Sequence, residues 1–172
     1  MLLANISKVG FCVIKFIIVD DEAKTTEKVK QIISQTIFKY DVQYNIVSYC
    51  KYDNKLAKEI DDVSTIKVYI MDIELEDSIS GIEIAKKIRE VDWESNIIFI
   101  TSHDRMFETV YRTLYNVFDF IEKFENMEER LITDLTKIAK HNFDYKTFKY
   151  SCRNIEMQIY LSSINYIHRN SN

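Results

Sequence analysis

A doubly wound α/β fold built on a parallel sheet is predicted by three observations. Short unbroken apolar runs rich in Ile, Val and aromatics recur along the chain, Phe16-Ile17-Ile18-Val19, Val68-Tyr69-Ile70-Met71 and Ile97-Ile98-Phe99-Ile100, with a weaker one, Phe118-Asp119-Phe120-Ile121, interrupted by one acid. Runs without polar alternation read as strands buried on both faces, which is what a parallel sheet under helices requires. Segments of helical periodicity lie between the runs, and each run ends on a polar residue that sheets of this kind use for function.

Taken in order, the first strand ends at Val19, and Val29, Ile32, Ile33 and Ile37 then recur at helical spacing. Tyr44 to Cys50 is the second strand, and Asn54 to Asp61 a short second helix. The third strand, residues 68–71, is followed by a polar loop from Glu74 to Ser80 that ends at Gly81, one of two glycines in the chain. Residues 81–91 form the third helix, with Ile82, Ala85, Ile88 and Val91 on one face. A fourth helix is expected over Met106 to Tyr115 and a fifth over Met127 to His141, with Leu131, Leu135 and Ile138 inward. Strict alternation with right-handed crossovers implies the flavodoxin-like strand order 2-1-3-4-5.

At 172 residues, 47% hydrophobic and 29% charged, the chain can bury one full core with sequence to spare. Up to residue 145 it carries 19 Lys and Arg against 26 Asp and Glu, net −7; beyond it, four against one, net +3, and together these give the overall −4. We therefore divide it into an N-terminal extension (1–14), an α/β domain (15–141) and a basic, β-rich tail (142–172). In the tail, Lys146 to Arg153 and Gln158 to Tyr160 read as strands around Asn154-Ile155. The early charge-free stretches, 1–7 and 9–14, are broken by Lys8, so no transmembrane span or signal peptide is expected and a cytoplasmic location is. Cys12, Cys50 and Cys152 have no metal spacing and read as buried or neutral thiols.

The strand ends carry the chemistry. Asp20 and Asp21 follow the first run, Asp72 the third, Thr101 the fourth and Lys123 the last. Read alone, Asp-Asp-Glu is a helix N-cap, Asp72 a solvated strand end, Thr101 a cap and Lys123 a surface lysine; together they converge on one sheet edge. Two like charges about 4 Å apart repel by roughly 4 kcal/mol at an effective dielectric near 20, so three carboxylates there call for a cation. Oxygen donors without soft ligands suit Mg²⁺, which commonly shares its shell with a phosphoryl oxygen. An Asp carboxylate can itself become an aspartyl phosphate.

The stretches F-I-I-V-D-D-E (16–22), Y-I-M-D-I-E-L (69–75), I-I-F-I-T-S-H (97–103) and F-D-F-I-E-K (118–123) resemble the receiver domain of two-component response regulators, with a CheY-like fold. The resemblance implies that Asp72 is the phospho-acceptor, served by a sensor histidine kinase. It makes Asp21 a direct Mg²⁺ ligand, Asp20 the holder of a metal-bound water and the Glu74 backbone carbonyl a further ligand. Thr101 and Lys123 would bind phosphoryl oxygens, and Phe120 stands at the aromatic switch position. Such a domain is a regulator that catalyses only its own phosphorylation and dephosphorylation, and a phosphorylation-dependent homodimer is in keeping with the family. Leu161 to Ile167 resembles the opening of a LytTR-type DNA-binding domain, as in AgrA-like regulators. Of that module the tail holds only a beginning, so DNA binding is expected of a full-length protein and not, specifically, of these residues.

Two departures stand out. Phe124 occupies the place of the family's usual Pro, and the chain has no proline, so a trans peptide and a shifted loop are expected. Phe120 also lacks the hydroxyl of the frequent Tyr. His103, just past the site, reads as a capping or surface residue. Two alternatives stay open: an aspartyl-phosphate phosphohydrolase, which would want a second acid where Glu74 stands, and a receiver that works by binding alone.

Overall fold

The computed structural model describes residues 13–40, 42–102, 116–145, 147–152 and 155–160. The expected helix over 106–115, His103, Cys12 and the segment 161–167 lie outside them. Five strands, β1 (Val13–Val19), β2 (Gln43–Tyr49), β3 (Ile66–Met71), β4 (Asn96–Thr101) and β5 (Asp119–Glu122), form one sheet in the order β2-β1-β3-β4-β5. Every pairing within it is parallel. The helices are α1 (Ala23–Ile37), α2 (Asn54–Asp61), α3 (Gly81–Val91) and α4 (Met127–Tyr145), the last being the helix expected over 127–141 with one further turn.

Strand alternation divides the core in two. Phe16, Ile18, Val68, Ile70, Ile98, Ile100 and Ile121 point to one side and pack with Val29, Ile33 and Ile37 of α1 and Leu131, Leu135 and Ile138 of α4. Ile17, Val19, Tyr69, Met71, Ile97, Phe99 and Phe120 point to the other, against Leu56 of α2 and Ile84, Ala85 and Ile88 of α3. These period-2 and period-3.6 patterns fit only one way round, which sets the register.

The helix starts are local chemistry. Asp53 caps α2 by accepting the Lys55 and Leu56 N–H groups at 2.9 Å, and Ser80 caps α3 through the Glu83 N–H at 3.3 Å. Lys67, fully buried in β3, donates to the carbonyls of Glu59 and Ile60 and so closes the C-terminus of α2.

Three expectations are corrected. Val91, the last residue of α3, is 48% exposed, while Ile84 joins Ile82, Ala85 and Ile88 in the core: periodicity fixes the face of a helix but not how far along it the helix stays packed. Cys50 is exposed, one residue past edge strand β2. In the tail, Ile155 belongs to a strand and not a turn: β6 (Thr147–Cys152) and β7 (Ile155–Tyr160) pair antiparallel, Cys152 opposite Ile155. That leaves a two-residue connection, the favoured hairpin length.

Candidate functional site

The ladder continues one residue past β1, β3 and β5. The Asp20 N–H donates to the Tyr49 carbonyl (3.0 Å), the Asp72 N–H to Val19 (2.9 Å) and the Lys123 N–H to Thr101 (2.9 Å). Asp20, Asp72 and Lys123 thereby inherit strand geometry, and alternation sends them to the α1/α4 side. Carboxylate oxygens of Asp20, Asp21 and Asp72 lie within 4.8 Å of one another, with Asp20 and Asp72 buried and Asp21 exposed. The Lys123 ammonium enters between the two buried acids, 3.0 Å from Asp20 Oδ2 and 2.6 Å from Asp72 Oδ2.

Each acid is held from a second direction. Asp72 Oδ1 accepts the N–H groups of Ile73 (2.6 Å) and Glu74 (3.3 Å), Asp20 Oδ1 that of Glu22 (2.8 Å), and Asp21 Oδ2 that of Glu76 (2.7 Å). Of the N-cap reading of the acidic triplet only the position holds: Glu22 stands at the N-cap of α1 without a side-chain capping bond, and its own N–H goes to Asp20. Burial pushes the Asp20 carboxyl above the ordinary carboxylate value despite its bonds to Lys123 and Glu22. Burial also works against the Lys123 ammonium, but its hydrogen bonds to Asp72 and Asp20 outweigh this and hold its pKa above the usual lysine value.

Thr101 is fully buried at the end of β4, and Phe120 is buried beside Phe99, its partner across β4 and β5. Both belong to the face opposite Lys123, so the two expected switch residues share one side of the sheet and the charged cluster the other. Glu74 is exposed, directly after buried Ile73. Phe124 is 84% exposed, and there is no cis peptide among the described residues.

Two participants were not foreseen. Glu22 Oε2 stands 3.7 Å from Lys123, held in place by the Thr25 hydroxyl at 2.6 Å. Gly81 lies against the Asp72 backbone: a Cβ there would sit 2.0 Å from the Asp72 carbonyl oxygen, and the Gly81 N–H donates to Ile73 at 2.8 Å. A glycine ending a polar loop was the available signal; that it touches Asp72 is a fact of the tertiary fold.

A family model described as the response regulator receiver domain matches residues 16–136. The chain belongs to the response regulator receivers. Among curated proteins it is similar to accessory gene regulator protein A of Staphylococcus aureus (strain N315), 27% identical over 145 residues, 84% of this chain and 61% of that protein. The receiver chain therefore spans about three-fifths of the length of that relative. Of solved structures, the response regulatory domain of protein mrkE from Klebsiella pneumoniae superposes with a TM-score of 0.60 at 23% identity, covering 74% of this chain and 96% of that one. A CheY-like receiver from Methanospirillum hungatei JF-1 gives 0.57 at 19%, covering 75% and 95%. Both likenesses speak to the fold, and both agree with the predicted sheet. Among the described residues no helix is long and apolar enough to cross a membrane.

Proposed function

We propose that this receiver takes a phosphoryl group from a sensor histidine kinase onto Asp72. The observation that carries the reading is the Lys123 ammonium lodged between Asp20 and Asp72, with three carboxylates converging within 4.8 Å. The Asp72 carboxylate attacks phosphorus as the bond to the donor histidine nitrogen breaks and its electron pair leaves with the imidazole. The backbone N–H groups on Asp72 Oδ1 orient the carboxylate, and Lys123 transfers from Asp72 Oδ2 to a phosphoryl oxygen, where it neutralises developing charge.

The donor set fits Mg²⁺: hard oxygens only, with Asp21 open to solvent. Asp20, Asp21, Asp72 and the Glu74 carbonyl are the residues that would hold it. When bound, the ion supplies charge neutralisation at the phosphoryl oxygens. In this reading the chain is no general enzyme. Glu74 is exposed, with its N–H engaged by Asp72 and no cap over the site among the described residues, which favours a receiver over a phosphohydrolase.

Phosphorylation adds roughly −1.5 to −2 charges and three acceptor oxygens at Asp72. Thr101 and Lys123 turn to them, and the face formed by the segment before β5, by β5 and by α4 changes, with Phe120 as its buried reporter. Moving a mostly inactive population to a mostly active one needs about 5.5 kcal/mol of differential stabilisation, which these contacts supply. The boundaries expected at 14/15 and 141/142 shift, because β1 begins at Val13 with Ile14 in the core and α4 runs to Tyr145; we read residues 1–12 as an N-terminal extension, 13–145 as the receiver and 146–172 as a linker and the beginning of a LytTR-type domain. Transcription control, DNA binding and any phosphorylation-dependent homodimer then belong to a longer cytoplasmic protein.

The test is intact-mass spectrometry after incubation with acetyl phosphate and Mg²⁺, wild type beside Asp72→Asn. One Mg²⁺-dependent phosphoryl adduct, absent from the variant, is expected. An adduct retained in Asp72→Asn refutes the assignment of the acceptor.

A further inference from the structure

A second pair of carboxyl groups lies away from the phosphorylation site, on the seam between β5 and α4. Asp119 opens β5 and shares the alternation of Ile121, so it faces α4, where Asp134 meets it. Asp134 is only 3% exposed. Its Oδ1 accepts from Lys137 Nζ at 3.0 Å, whereas its Oδ2 is buried with no donor on it. The Asp119 side chain stands within hydrogen-bonding reach of it. Asp119 is itself occupied, with Arg130 Nη2 at 2.7 and 2.9 Å from its two oxygens and the Phe120 N–H on Oδ1 at 2.8 Å.

Two ionised carboxylates offer only acceptors to each other, so their approach is repulsive until one of them carries a proton. The charged groups facing the pair among the described residues are Arg130 and Lys137, each bound to one acid from the side, and Glu129, which lines the same cleft of about 510 Å³. None of them lies between the two acids as Lys123 does at the other site. We propose that the Asp119–Asp134 pair is a proton-binding site on this seam, and that its occupancy is thermodynamically coupled to phosphorylation of Asp72.

Burial pushes the Asp134 carboxyl up to about 6, reinforced by the hydrogen bond and charge of Asp119 and opposed by Lys137. That places its titration where a modest acidification changes the seam. The coupling has a short path. β5 is four residues long, with Asp119 at one end and Lys123 just past the other, and Asp119 Oδ1 holds the N–H of Phe120. Any movement of Lys123 toward a phosphoryl oxygen acts on the strand that positions the pair. By linkage, a phosphorylation that changes proton affinity there is itself changed by the proton.

The coupling, unlike the proton site, rests on the assignment of Asp72, and the experiment separates the two. The Asp134 carboxyl ¹³C resonance of the full chain is followed by NMR from about pH 3 to about pH 8, with and without acetyl phosphate and Mg²⁺, and intact mass is read on the same samples. Without acetyl phosphate, a midpoint near 6 is expected, falling toward the ordinary 3.8 in Asp119→Asn. A wild-type midpoint near 4, or one indifferent to Asp119→Asn, overturns the proton site. With the adduct confirmed, the midpoint should move by at least half a unit, about a threefold change in proton affinity. An unmoved midpoint overturns the coupling. If no adduct forms, the assignment of Asp72 fails and the coupling with it, while the proton site stands on the first titration alone.

Discussion

Two places in this receiver bring aspartates together, both buried at one and a buried beside a half-buried one at the other, and they solve the same electrostatic problem in opposite ways. At the carboxyl end of the sheet, Lys123 sits between Asp20 and Asp72 and touches both. On the β5–α4 seam, Arg130 binds Asp119 and Lys137 binds Asp134, and no cation among the described residues bridges the two acids. Burial raises the pKa of both Asp20 and Asp134. A bridging cation keeps the first pair a charged cluster ready for an incoming phosphoryl group, while the second pair can lower its repulsion only by taking a proton. The position of the cation, more than the depth of burial, decides whether such a pair serves charge chemistry or proton binding.

The largest test of that contrast is Lys123→Ala, which leaves two buried carboxylates facing each other. Breaking a buried charge pair costs about 3 kcal/mol or more, and urea unfolding in chelator should show a loss of that size. Added Mg²⁺ should restore more stability to the variant than it adds to the wild type. An equal response in the two proteins would mean that Lys123 and the metal do not share the carboxylates.

Gly81→Ala asks whether the upper site also depends on backbone placement. The new Cβ would fall 2.0 Å from the Asp72 carbonyl oxygen, so one backbone must move. Overpacking of this kind costs about 2 kcal/mol, and the phosphorylation rate with acetyl phosphate should drop with it. A stable variant phosphorylated at the wild-type rate would show that Asp72 tolerates the shift.

Asp134→Asn sharpens the lower half of the comparison. Since the folded state raises this carboxyl from 3.8 to about 6, it binds the proton more tightly than the unfolded chain does. The stability so gained is fully present below about pH 4 and is lost as pH rises through about 6, a change of about 3 kcal/mol for a shift of roughly two units. The wild-type minus variant difference in unfolding free energy should therefore fall over that window and level off above it. A flat difference would show that Asp134 is not perturbed by its surroundings. The smallest effect is expected of Glu22→Ala: Glu22 is exposed and 3.7 Å from Lys123, and the melting temperature should not change resolvably, since solvent screens such contacts. A clear loss would make Glu22 a third full partner of the ammonium.

Legibility in the sequence followed the range of the interaction. The strands ending at Val19, Met71 and Thr101 and the helix Asn54–Asp61 were readable because apolar runs and caps such as Asp53 are local. The site residues were readable because each stands just past a buried run, where ladder bonds such as Asp72 N–H to Val19 carry strand geometry one residue further. Val91 was misplaced because periodicity fixes the face of a helix but not how far along it the helix stays packed, and Cys50 because an edge strand looks like a central one until its neighbours are known.

By itself, the sequence determined the alternation of strands and amphipathic helices, and with it which side chains reach the carboxyl edge of the sheet, because hydrophobic period is a property of a segment alone. Only the tertiary structure decided that Lys123 bridges Asp20 and Asp72, that Gly81 presses on Asp72, and that Asp119 meets Asp134 with no cation between them. Those contacts join residues up to 103 positions apart, as between Asp20 and Lys123, and the energy of a charge depends on what surrounds it in space.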